Sequence, residues 1–385
     1  MIRLVSLLFL FVFTAEASAS PIPDPPQLEA SAYILMDADS GAVLAEHNAD
    51  ERLPPASLTK MMTSYVLANE ISAGRISRDD MVTVSENSWS QNPIFEGSSL
   101  MWIEPGKDVS IANLERGIII SSGNDACVAV AEHVAGSEQV FAEMMNSEAQ
   151  RLGMHDTHYV NSHGLPDPEL YTTARDLALL ARATVRDHPS QYPIYKEREF
   201  TYNGIRQYNR NTLLGQDPSV DGLKTGHTKE AGYCLVASAK REQMRLVSVV
   251  LGTRSTKARA AESRSLLNYG FRFFETDSIL DAGSVLESPR IWKGVVDSVP
   301  VGVKEGVLLT VPRGRKDEIQ TEVTLRQEIE APLAEGDVVG SIAMTLDGKQ
   351  IYQGDVVALQ AVEPGGFFSR LWDMVLMWIN RLFRV

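Results

Sequence analysis

The chain has 385 residues, an apolar fraction of 44% and a formal net charge of −14. This length suggests about two packed domains. The acidic balance and the lack of a basic block argue against nucleic acid as a partner. Walker-type and dinucleotide-type glycine motifs are also missing from the sequence, so it implies no nucleotide cofactor.

The N-terminus has the pattern of an export signal. Arg3 supplies a positive start, and LVSLLFLFVF follows as an apolar stretch of ten residues. Ala17, Ser18 and Ala19 offer small side chains for cleavage after Ala19. The alternative is a transmembrane helix, but the stretch is too short, since a span needs about 20 apolar residues. We therefore expect residues 1–19 to be a signal peptide and the mature chain to start with a proline-rich leader.

Cys127 and Cys234 are the cysteines of the sequence. Export to an oxidising compartment would permit one disulfide between them. Both lie in apolar stretches, NDACVAV and GYCLVAS, where free cysteine packs as a small hydrophobe. Buried free thiols are therefore favoured, and a bridge is the alternative.

Residues 28–278 alternate between strand and helix patterns. SAYILMDADSGAVLAEHNAD predicts a hairpin that turns at residues 39–41. SLTKMMTSYVLANEIS has helical spacing, with Met61, Tyr65 and Ala68 along one face.

ANLERGIIISSGNDACVAVAEHVAG predicts two helical pieces with a break near SSGN. TTARDLALLARATVRDH predicts an amphipathic helix capped by Thr172 or Thr173. GYCLVASAKREQMRLVSVVLG predicts two strands around a polar turn, and KARAAESRSLLNYGFRFF predicts a closing helix. This order favours an α/β domain around a mainly antiparallel sheet.

From about residue 283 the sequence consists of short β-branched segments divided by turn signals. Asp347 and Gly348 form a strong hairpin-turn signal. We therefore interpret residues 283–362 as a small all-β domain. It contains no catalytic cluster, and its expected role is that of a spacer or docking module.

The last segment, residues 367–385, reads FFSRLWDMVLMWINRLFRV and predicts an amphipathic helix. Its apolar run is too short to span a bilayer. Trp and Phe on one face with Arg on the other is typical of a helix that lies in a membrane interface. The alternative is a helix docked on its own protein. The terminal position and the preceding PGG hinge favour the membrane.

Ser57 and Lys60 in PPASLTKMMT lie three residues apart, where two prolines lead into the first helix. Residues at this spacing share a helical face. Burial and the positive end of the helix dipole both disfavour a charged lysine there. A neutral Lys60 can take the proton of the Ser57 hydroxyl and make it a nucleophile. Taken alone, the S-x-x-K pattern is weak, and a solvated surface lysine is the alternative.

Two further motifs strengthen this interpretation. Ser122, Gly123 and Asn124 form an SGN turn at the predicted break between helices. A KTG motif, Lys224 to Gly226, leads into the predicted strand pair. A lysine, a hydroxyl and a glycine at a strand edge suit a substrate carboxylate. The three motifs occur in the order found in serine acyl-transferases that react with penicillin.

The whole chain resembles the serine-type D-alanyl-D-alanine carboxypeptidases of the low-molecular-mass penicillin-binding protein family. The motifs PASLTKMMT, SSGNDAC, HGLPDPELYTTARDLALLAR, VDGLKTGHT and VPRGR carry this resemblance. It implies an α/β fold with a serine β-lactamase/transpeptidase-like catalytic domain, the small all-β domain and the C-terminal amphipathic helix. It also implies an enzyme of cell-wall biogenesis and cell-shape control that removes the terminal D-alanine of peptidoglycan stem pentapeptides and is acylated by β-lactams.

The resemblance further implies residue roles. Ser57 would attack the carbonyl between the two D-alanines, Lys60 would be the general base, and Ser122 would relay a proton to the departing amine. Asn124 would bind the peptide. Further substrate-binding and oxyanion roles fall on Lys224, Thr225, Gly226 and His227, the last acting with Ser57 through backbone N–H groups.

Arg210 and Arg259 match family arginines near the carboxylate pocket, and exposed surface charge is the alternative for each. His163 lies in NSHGLPD, a loop that borders the family's site and could influence the deacylating water. A loop histidine held by backbone contacts is the alternative. His155 and His158 around Asp156 form a weak metal pattern, which we discount, so we expect neither metal nor cofactor.

Electrostatics predicts different protonation states for the two motif lysines. Two nearby cations cannot both stay charged cheaply, so Lys224, facing a carboxylate, should keep its proton and Lys60 should release its own. Two other functions stay open: a β-lactamase, and a non-catalytic protein that binds β-lactam or peptidoglycan. The expected location is the periplasmic face of the bacterial inner membrane, with the protein attached peripherally.

Overall fold

The computed structural model describes residues 22–383, so the predicted signal peptide at residues 1–19 lies outside the described part. The N-terminal region contains the central sheet and the first six helices. Its strands are β1 (Ala32–Asp37), β2 (Val43–His47), β3 (Met81–Thr83), β4 (Asp108–Ser110), β5 (Glu199–Tyr202), β6 (Ile205–Tyr208), β7 (Val220–Thr228), β8 (Gly232–Arg241) and β9 (Met244–Thr253). Its helices are α1 (Thr59–Ser72), α2 (Ile111–Arg116), α3 (Asn124–Ala135), α4 (Glu138–Arg151), α5 (Ala174–Asp187) and α6 (Thr256–Phe273).

A five-stranded antiparallel sheet, in the order β2-β1-β9-β8-β7, forms the centre of this region. Successive side chains of a strand point to opposite faces. In β1, Ile34 packs into the core shared with α1, α3, α4 and α5, whereas Leu35 packs into the core shared with α6. The sheet is therefore covered by helices on both faces, and β7 is left as an edge strand. This architecture confirms the predicted α/β fold around an antiparallel sheet.

The predicted elements of this region are present. The β1–β2 hairpin pairs Tyr33 with His47. Helix α5 is capped by Thr173, whose hydroxyl accepts a hydrogen bond from the Asp176 N–H at 3.0 Å. Helix α1 differs from the expected one-sided pattern, because residues 59–68 are all buried. The first helix therefore runs through the core, where side chains on all its faces are covered.

The C-terminal region is all-β. Its strands are β10 (Phe274–Leu280), β11 (Val285–Glu287), β12 (Ile291–Trp292), β13 (Val301–Gly302), β14 (Val307–Pro312), β15 (Gln320–Leu325), β16 (Ile329–Glu330), β17 (Val338–Leu346) and β18 (Lys349–Ala358). A five-stranded sheet has the order β11-β13-β18-β17-β15, and β10 pairs with β14. Asp347 and Gly348 both have positive φ, +53° and +73°, as a type I′ turn between β17 and β18 requires. The predicted hairpin turn is therefore confirmed.

Helix α7 (Phe367–Phe383) ends the described chain and packs on the β region through a face that includes Asp373 and Met377. Asp373 is buried and accepts hydrogen bonds from the Arg290 guanidinium at 3.1 Å and from the Lys293 backbone N–H at 2.6 Å. Arg381 forms an ion pair with Glu328. The apolar side faces outward, and Trp372 and Trp378 are 65% and 63% exposed. Docking on the protein itself therefore occurs, through a face that combines polar side chains with the buried Met377.

Within residues 22–383, no helix has both the length and the apolar character that crossing a membrane requires. Both cysteines are free and buried, as expected. The Cys127 thiol donates a hydrogen bond to the Gly123 carbonyl at 3.2 Å, and burial raises its pKa to about 12.

Candidate active site

A tight turn carries Ser57. The 3₁₀ turn Ala56–Leu58 places this serine immediately before α1, and Ala56 has a φ of +48°. Such left-handed backbone in a non-glycine residue costs about 1–3 kcal/mol and is concentrated at functional sites. Strand β7 passes close by, since a Cβ on Gly226 would lie 3.0 Å from the Pro55 carbonyl oxygen. Glycine at position 226 thus lets the edge strand approach the serine turn.

Lys60 lies one helical turn beyond Ser57, and its side chain is buried. Its Nζ lies 3.2 Å from Ser57 Oγ, 2.7 Å from Asn124 Oδ1 and 2.5 Å from the His163 carbonyl oxygen. Burial lowers the Lys60 pKa to about 8, because the charged ammonium loses its hydration. The structure therefore brings the predicted serine and lysine together and makes a free amine accessible near neutral pH.

The SGN motif lies where the predicted break between helices occurs. Helix α2 continues as a π-helical segment, Gly117–Ser121, and stops at Ser122, which has a φ of +61°. Helix α3 starts at Asn124, whose Nδ2 donates to Ser98 Oγ at 2.8 Å while its Oδ1 accepts from Lys60. These two contacts fix the orientation of the Asn124 amide.

The KTG motif lies on the edge strand β7. The Lys224 side chain is buried, and its Nζ donates to Ser122 Oγ at 2.9 Å. Thr225 is also buried, whereas His227 is exposed and stacks on Tyr233 with 3.9 Å between ring centroids. A cavity of about 320 Å³ brings the three motifs together, lined among others by Ser57, Ser122, Asn124, Thr225, Gly226 and His227.

The pKa values of both motif lysines are lowered in the free site. Burial, the positive charge of Lys60 and that of Arg210 lower the pKa of Lys224 well below its usual value. A substrate carboxylate would raise its pKa again, because an opposite charge stabilises the protonated amine. Retention of the proton on Lys224 stays a prediction for the substrate complex.

Both predicted arginines line the cavity. Arg259, on α6, is buried, and its guanidinium donates to the Gly226 carbonyl at 3.2 Å. Arg210 is exposed at the rim and donates to Ser99 Oγ. Burial excludes the alternative of plain surface charge for Arg259, and Arg210 points its charge toward the cavity wall.

His163 contributes its backbone carbonyl to Lys60, while its ring is fixed by other groups. Nδ1 accepts from the Leu165 N–H at 3.1 Å, so Nε2 carries the proton, and Nε2 lies 3.4 Å from Glu138 Oε1. Burial lowers the His163 pKa to about 3, so the imidazole is neutral at physiological pH. This environment matches the alternative of a loop histidine held by its surroundings. An effect on the deacylating water stays a prediction.

Sequence reasoning missed three groups around the site. Ser98 orients the Asn124 amide, and Ser99 contacts Arg210. The buried Asp125 carboxylate accepts the backbone N–H groups of residues 101–103 at 2.8, 2.8 and 3.2 Å. The serines lie in a loop without periodicity, and an acid in the first turn of a helix signals only a favourable dipole interaction. No sequence signal would have singled them out.

The chain as a whole is similar to known proteins. The sequence profile described as D-alanyl-D-alanine carboxypeptidase matches residues 19–255. The chain belongs to the D-alanyl-D-alanine carboxypeptidases. The profile of the penicillin-binding protein 5 C-terminal domain matches residues 274–364. The D-alanyl-D-alanine carboxypeptidase DacA of Escherichia coli is 49% identical over 361 residues, which cover 93% of this chain and 90% of DacA.

Solved structures of carboxypeptidase relatives agree with the fold. A crystal structure of penicillin-binding protein 5 from Haemophilus influenzae has a TM-score of 0.85 at 44% identity, covering 89% of this chain and 99% of that chain. A structure of penicillin-binding protein D2 from Listeria monocytogenes in its cefotaxime-bound form has a TM-score of 0.59 at 29% identity, covering 65% of this chain and 100% of that one. The chain is therefore a serine peptidase-family enzyme with a penicillin-binding-protein fold.

The lining of the catalytic cavity bears on the β-lactamase alternative. Over residues 22–383, neither aspartate nor glutamate lines the cavity that holds Ser57. The described part of the chain also lacks a group of three or more side chains able to hold a metal ion. The described residues that line this cavity therefore do not include a carboxylate of the kind that serves class A β-lactamases in deacylation.

Proposed function

We propose that the protein is a serine carboxypeptidase that removes the terminal D-alanine from peptidoglycan stem pentapeptides through an acyl-enzyme on Ser57. The contact between Lys60 Nζ and Ser57 Oγ at 3.2 Å carries the proposal. A neutral amine has two N–H donors and one lone pair. The Asn124 and His163 carbonyl oxygens can take the two donors, which leaves the lone pair for the Ser57 hydroxyl proton.

Acylation begins when Lys60 accepts the Ser57 proton and Oγ attacks the carbonyl carbon between the two D-alanines. The resulting oxyanion would bind to the backbone N–H groups of Ser57 and His227, both residues of the cavity lining. The proton then passes to the D-alanine nitrogen through Ser122, which contacts Lys224. The C–N bond breaks, D-alanine leaves with its amine neutral, and the remaining peptide is an ester of Ser57.

Deacylation returns the enzyme to its starting state. A water molecule loses a proton to the base and adds to the ester carbonyl, the C–O bond to Ser57 breaks, and Oγ recovers a proton. A β-lactam acylates the same serine by opening its ring, so its leaving amine stays tethered. The cefotaxime-bound penicillin-binding protein D2 supports binding of β-lactams by this fold.

The substrate carboxylate is assigned to the end of the cavity that is rich in positive charge. Thr225 and Gly226 lie on β7 there, and Arg210 and Arg259 line the same cavity. Lys224, buried behind Ser122, adds a third cation once it is protonated. This cluster attracts an anion, while Asn124 has an amide that can bind the peptide on the other side of the scissile bond.

We also propose that the enzyme lies at the periplasmic face of the inner membrane, and the predicted export signal and the exposed tryptophans of α7 support this location. In this proposal α7 lies in the membrane interface, as Trp and Phe on an exposed apolar side require. Asp373 binds the helix to the β region, while Trp372 and Trp378 are exposed. Residues 283–362 would then act as a spacer that holds the catalytic domain, residues 28–278, away from the membrane.

Mass spectrometry tests the catalytic proposal directly. The protein is incubated with a Lys-D-Ala-D-Ala type peptide and, separately, with penicillin. We expect release of one D-alanine per peptide and a penicilloyl adduct on the peptide fragment that contains Ser57. A peptide left intact, or an adduct on another residue, would contradict the proposal. The Ser57→Ala variant, which lacks the nucleophile, is the control, and circular dichroism should show that its fold is intact.

A further inference from the structure

An acidic side chain from helix α4 holds the segment that supplies a carbonyl partner to Lys60. Glu138 is the first residue of α4, and its Oε1 accepts hydrogen bonds from the Ser162 N–H at 3.0 Å and from the Ser162 hydroxyl at 2.6 Å. The same oxygen lies 3.4 Å from Nε2 of His163. One carboxylate oxygen therefore contacts both residues of this segment.

Ser162 is completely buried and fixed from two helices. Its N–H and its hydroxyl bind Glu138 on α4, and its carbonyl accepts a hydrogen bond from Thr63 Oγ1 at 2.6 Å. Thr63 lies on α1, three residues after Lys60. Helices α1 and α4 therefore hold Ser162 between them, and His163 follows it directly in the chain.

The His163 carbonyl is thereby presented to the catalytic amine. Its oxygen lies 2.5 Å from Lys60 Nζ. The next residue, Gly164, has a φ of +86°, and a Cβ at this position would lie 1.9 Å from the Ala56 carbonyl oxygen. The segment is thus packed tightly against the turn that carries Ser57. A displacement of the segment would change the surroundings of both Lys60 and Ser57.

Glu138 itself has no part in the proposed chemistry. It is not among the described residues that line the cavity around Ser57. Its side chain is 27% exposed, whereas Ser162 and the His163 ring are buried. Without the carboxylate, the N–H and hydroxyl of Ser162 would be two buried donors without their acceptor, a costly state that favours movement of the segment.

We propose that Glu138 is a positioning residue for acylation, and that it acts by keeping the His163 carbonyl against the amine of Lys60. This inference rests on the proposed function, in which Lys60 is the base. The neutral amine donates to Asn124 Oδ1 and to the His163 carbonyl, which directs its lone pair to Ser57. If one acceptor moves away, the amine can rotate and the lone pair loses this direction.

The charge of Glu138 has a second effect on the same amine. Burial is the largest influence on the pKa of Lys60 and lowers it, the positive charge of Arg210 lowers it further, and Glu138 acts in the opposite direction. Loss of this negative charge should therefore move the midpoint of the Lys60 titration to lower pH. The titratable and charged groups around Lys60 are Asp125 and Cys127 on α3, Glu138 on α4, Lys224 on β7, His163 and Arg210.

Two substitutions at Glu138 separate the hydrogen bonds from the charge. The readout is the rate of penicillin acylation as a function of pH. Glu138→Ala removes the acceptor, and we expect its plateau rate above the midpoint to fall about ten- to 10²-fold, as misplacement of a catalytic group by about 1 Å predicts. Glu138→Gln keeps an acceptor oxygen for Ser162, so it should recover most of the plateau rate, while its midpoint moves to lower pH.

Ser162→Ala tests the same contact from its other end. It removes the hydroxyl donor but keeps the charge of Glu138, so we expect the plateau rate to fall about three- to ten-fold, as loss of one hydrogen bond predicts, with the midpoint unchanged. Glu143→Gln, at an exposed position of α4, is the matched control and should keep both the plateau and the midpoint. Circular dichroism checks that each variant is folded.

The plateau and the midpoint each give a result that can overturn the inference. Wild-type plateau rates in Glu138→Ala or in Ser162→Ala would show that Glu138 does not position the segment. A plateau of Glu138→Gln as low as that of Glu138→Ala would exclude the hydrogen bonds as the cause. An unshifted midpoint in Glu138→Gln would exclude the effect of its charge on Lys60.

Failure of the positioning role and failure of the proposed function give different results. If the wild-type protein is acylated at Ser57 with a midpoint near pH 8 and the variants behave in the same way, only the positioning role is wrong. If the wild-type protein is not acylated at Ser57, or is acylated at a rate independent of pH, the role of Lys60 as the base fails and the positioning role fails with it.

Discussion

The catalytic cavity buries charged side chains, whereas helix α7 exposes large apolar ones. At the cavity, two lysines and an arginine are buried, whereas α7 exposes two tryptophans and buries an aspartate. Buried cations are rare unless paired, and exposed apolar surfaces of this kind indicate a binding partner. Burial lowers the pKa of Lys60, whereas Trp372 and Trp378 are left largely uncovered by the described residues.

Different contacts stabilise the buried lysine and the exposed helix. Lys60 is tolerated in the core because Asn124 and His163 supply oxygen acceptors within 2.7 Å. Helix α7 is tolerated on the surface because Asp373 and Arg381 bind it to the β region by its polar side. Substitutions that remove these residues or their contacts one at a time should therefore affect catalysis and membrane attachment separately.

The largest effect is expected at Lys60. Lys60→Arg keeps the positive charge but removes the group that can be neutral, because arginine stays protonated. We expect the rate of acylation by a labelled penicillin to fall by about 10²- to 10⁴-fold, the range for loss of a general base. Lys107→Arg, at an exposed position, is the control. Circular dichroism should show an intact fold in both, and normal labelling of Lys60→Arg would rule out Lys60 as the base.

The second effect concerns the exposed face of α7. We expect the variant Trp372→Ser, Trp378→Ser to bind vesicles of phosphatidylglycerol and phosphatidylethanolamine on the order of 10²-fold more weakly, because each indole contributes about 1.5–3 kcal/mol when buried in the interface. Co-sedimentation with the vesicles measures binding. The control is Val295→Ser with Val296→Ser, which removes two exposed apolar side chains of the β region.

Deletion of residues 367–385 gives a coarser version of the same test, and the truncated protein should stay in the supernatant. Pelleting of the truncated protein with membranes would show that attachment does not depend on α7. Penicillin labelling should persist in the truncated protein, because the catalytic cavity is built entirely from residues before 260.

The third effect is the pH dependence of acylation. Because burial lowers the Lys60 pKa to about 8, the free amine predominates above that pH and is lost as the pH falls below it. The rate of penicillin acylation should therefore rise roughly fifty-fold between pH 6 and pH 8 and level off above it. No inflection should come from His163, whose pKa is lowered to about 3. A rate independent of pH over this range would contradict the role of Lys60.

The smallest effect is expected at Asp373. Asp373→Ala removes the acceptor for Arg290 and for the Lys293 N–H, and loss of such charged hydrogen bonds costs about 1.5–3 kcal/mol. We expect faster amide hydrogen exchange in α7 while vesicle binding changes less than three-fold, because the apolar face is intact. Asp297→Ala, at an exposed site, is the control. Unchanged exchange in α7 would show that the polar face does not hold the helix.

Local patterns predicted much of the fold and part of the site. The β1–β2 hairpin, the cap at Thr173 and the Asp347–Gly348 turn follow from residue types that act on their own neighbours. The three motifs predicted which residues meet at the cavity. The Ser57–Lys60 contact depends on a spacing of three residues across the turn Ala56–Leu58 and the start of α1, so a local pattern could predict it.

Other features depend on contacts between distant parts of the chain. The Asn124 amide and the His163 carbonyl reach Lys60 across 64 and 103 residues, and no local pattern predicts either contact. The periodicity of α7 predicts a polar and an apolar face but not which of them meets the protein. The low pKa of Lys224 in the free site follows from burial and neighbouring cations, which the sequence does not reveal.

The most direct measurement is an NMR titration of the Lys60 side-chain amine, assigned by comparison with Lys60→Arg. Selective ¹³C labelling at the lysine Cε follows the charge on Nζ in the free enzyme. We expect a midpoint near pH 8, with the resonance shifting toward that of the neutral amine above this pH. A midpoint near 10.5, the ordinary value for lysine, would mean that Lys60 is charged at physiological pH and cannot deprotonate Ser57.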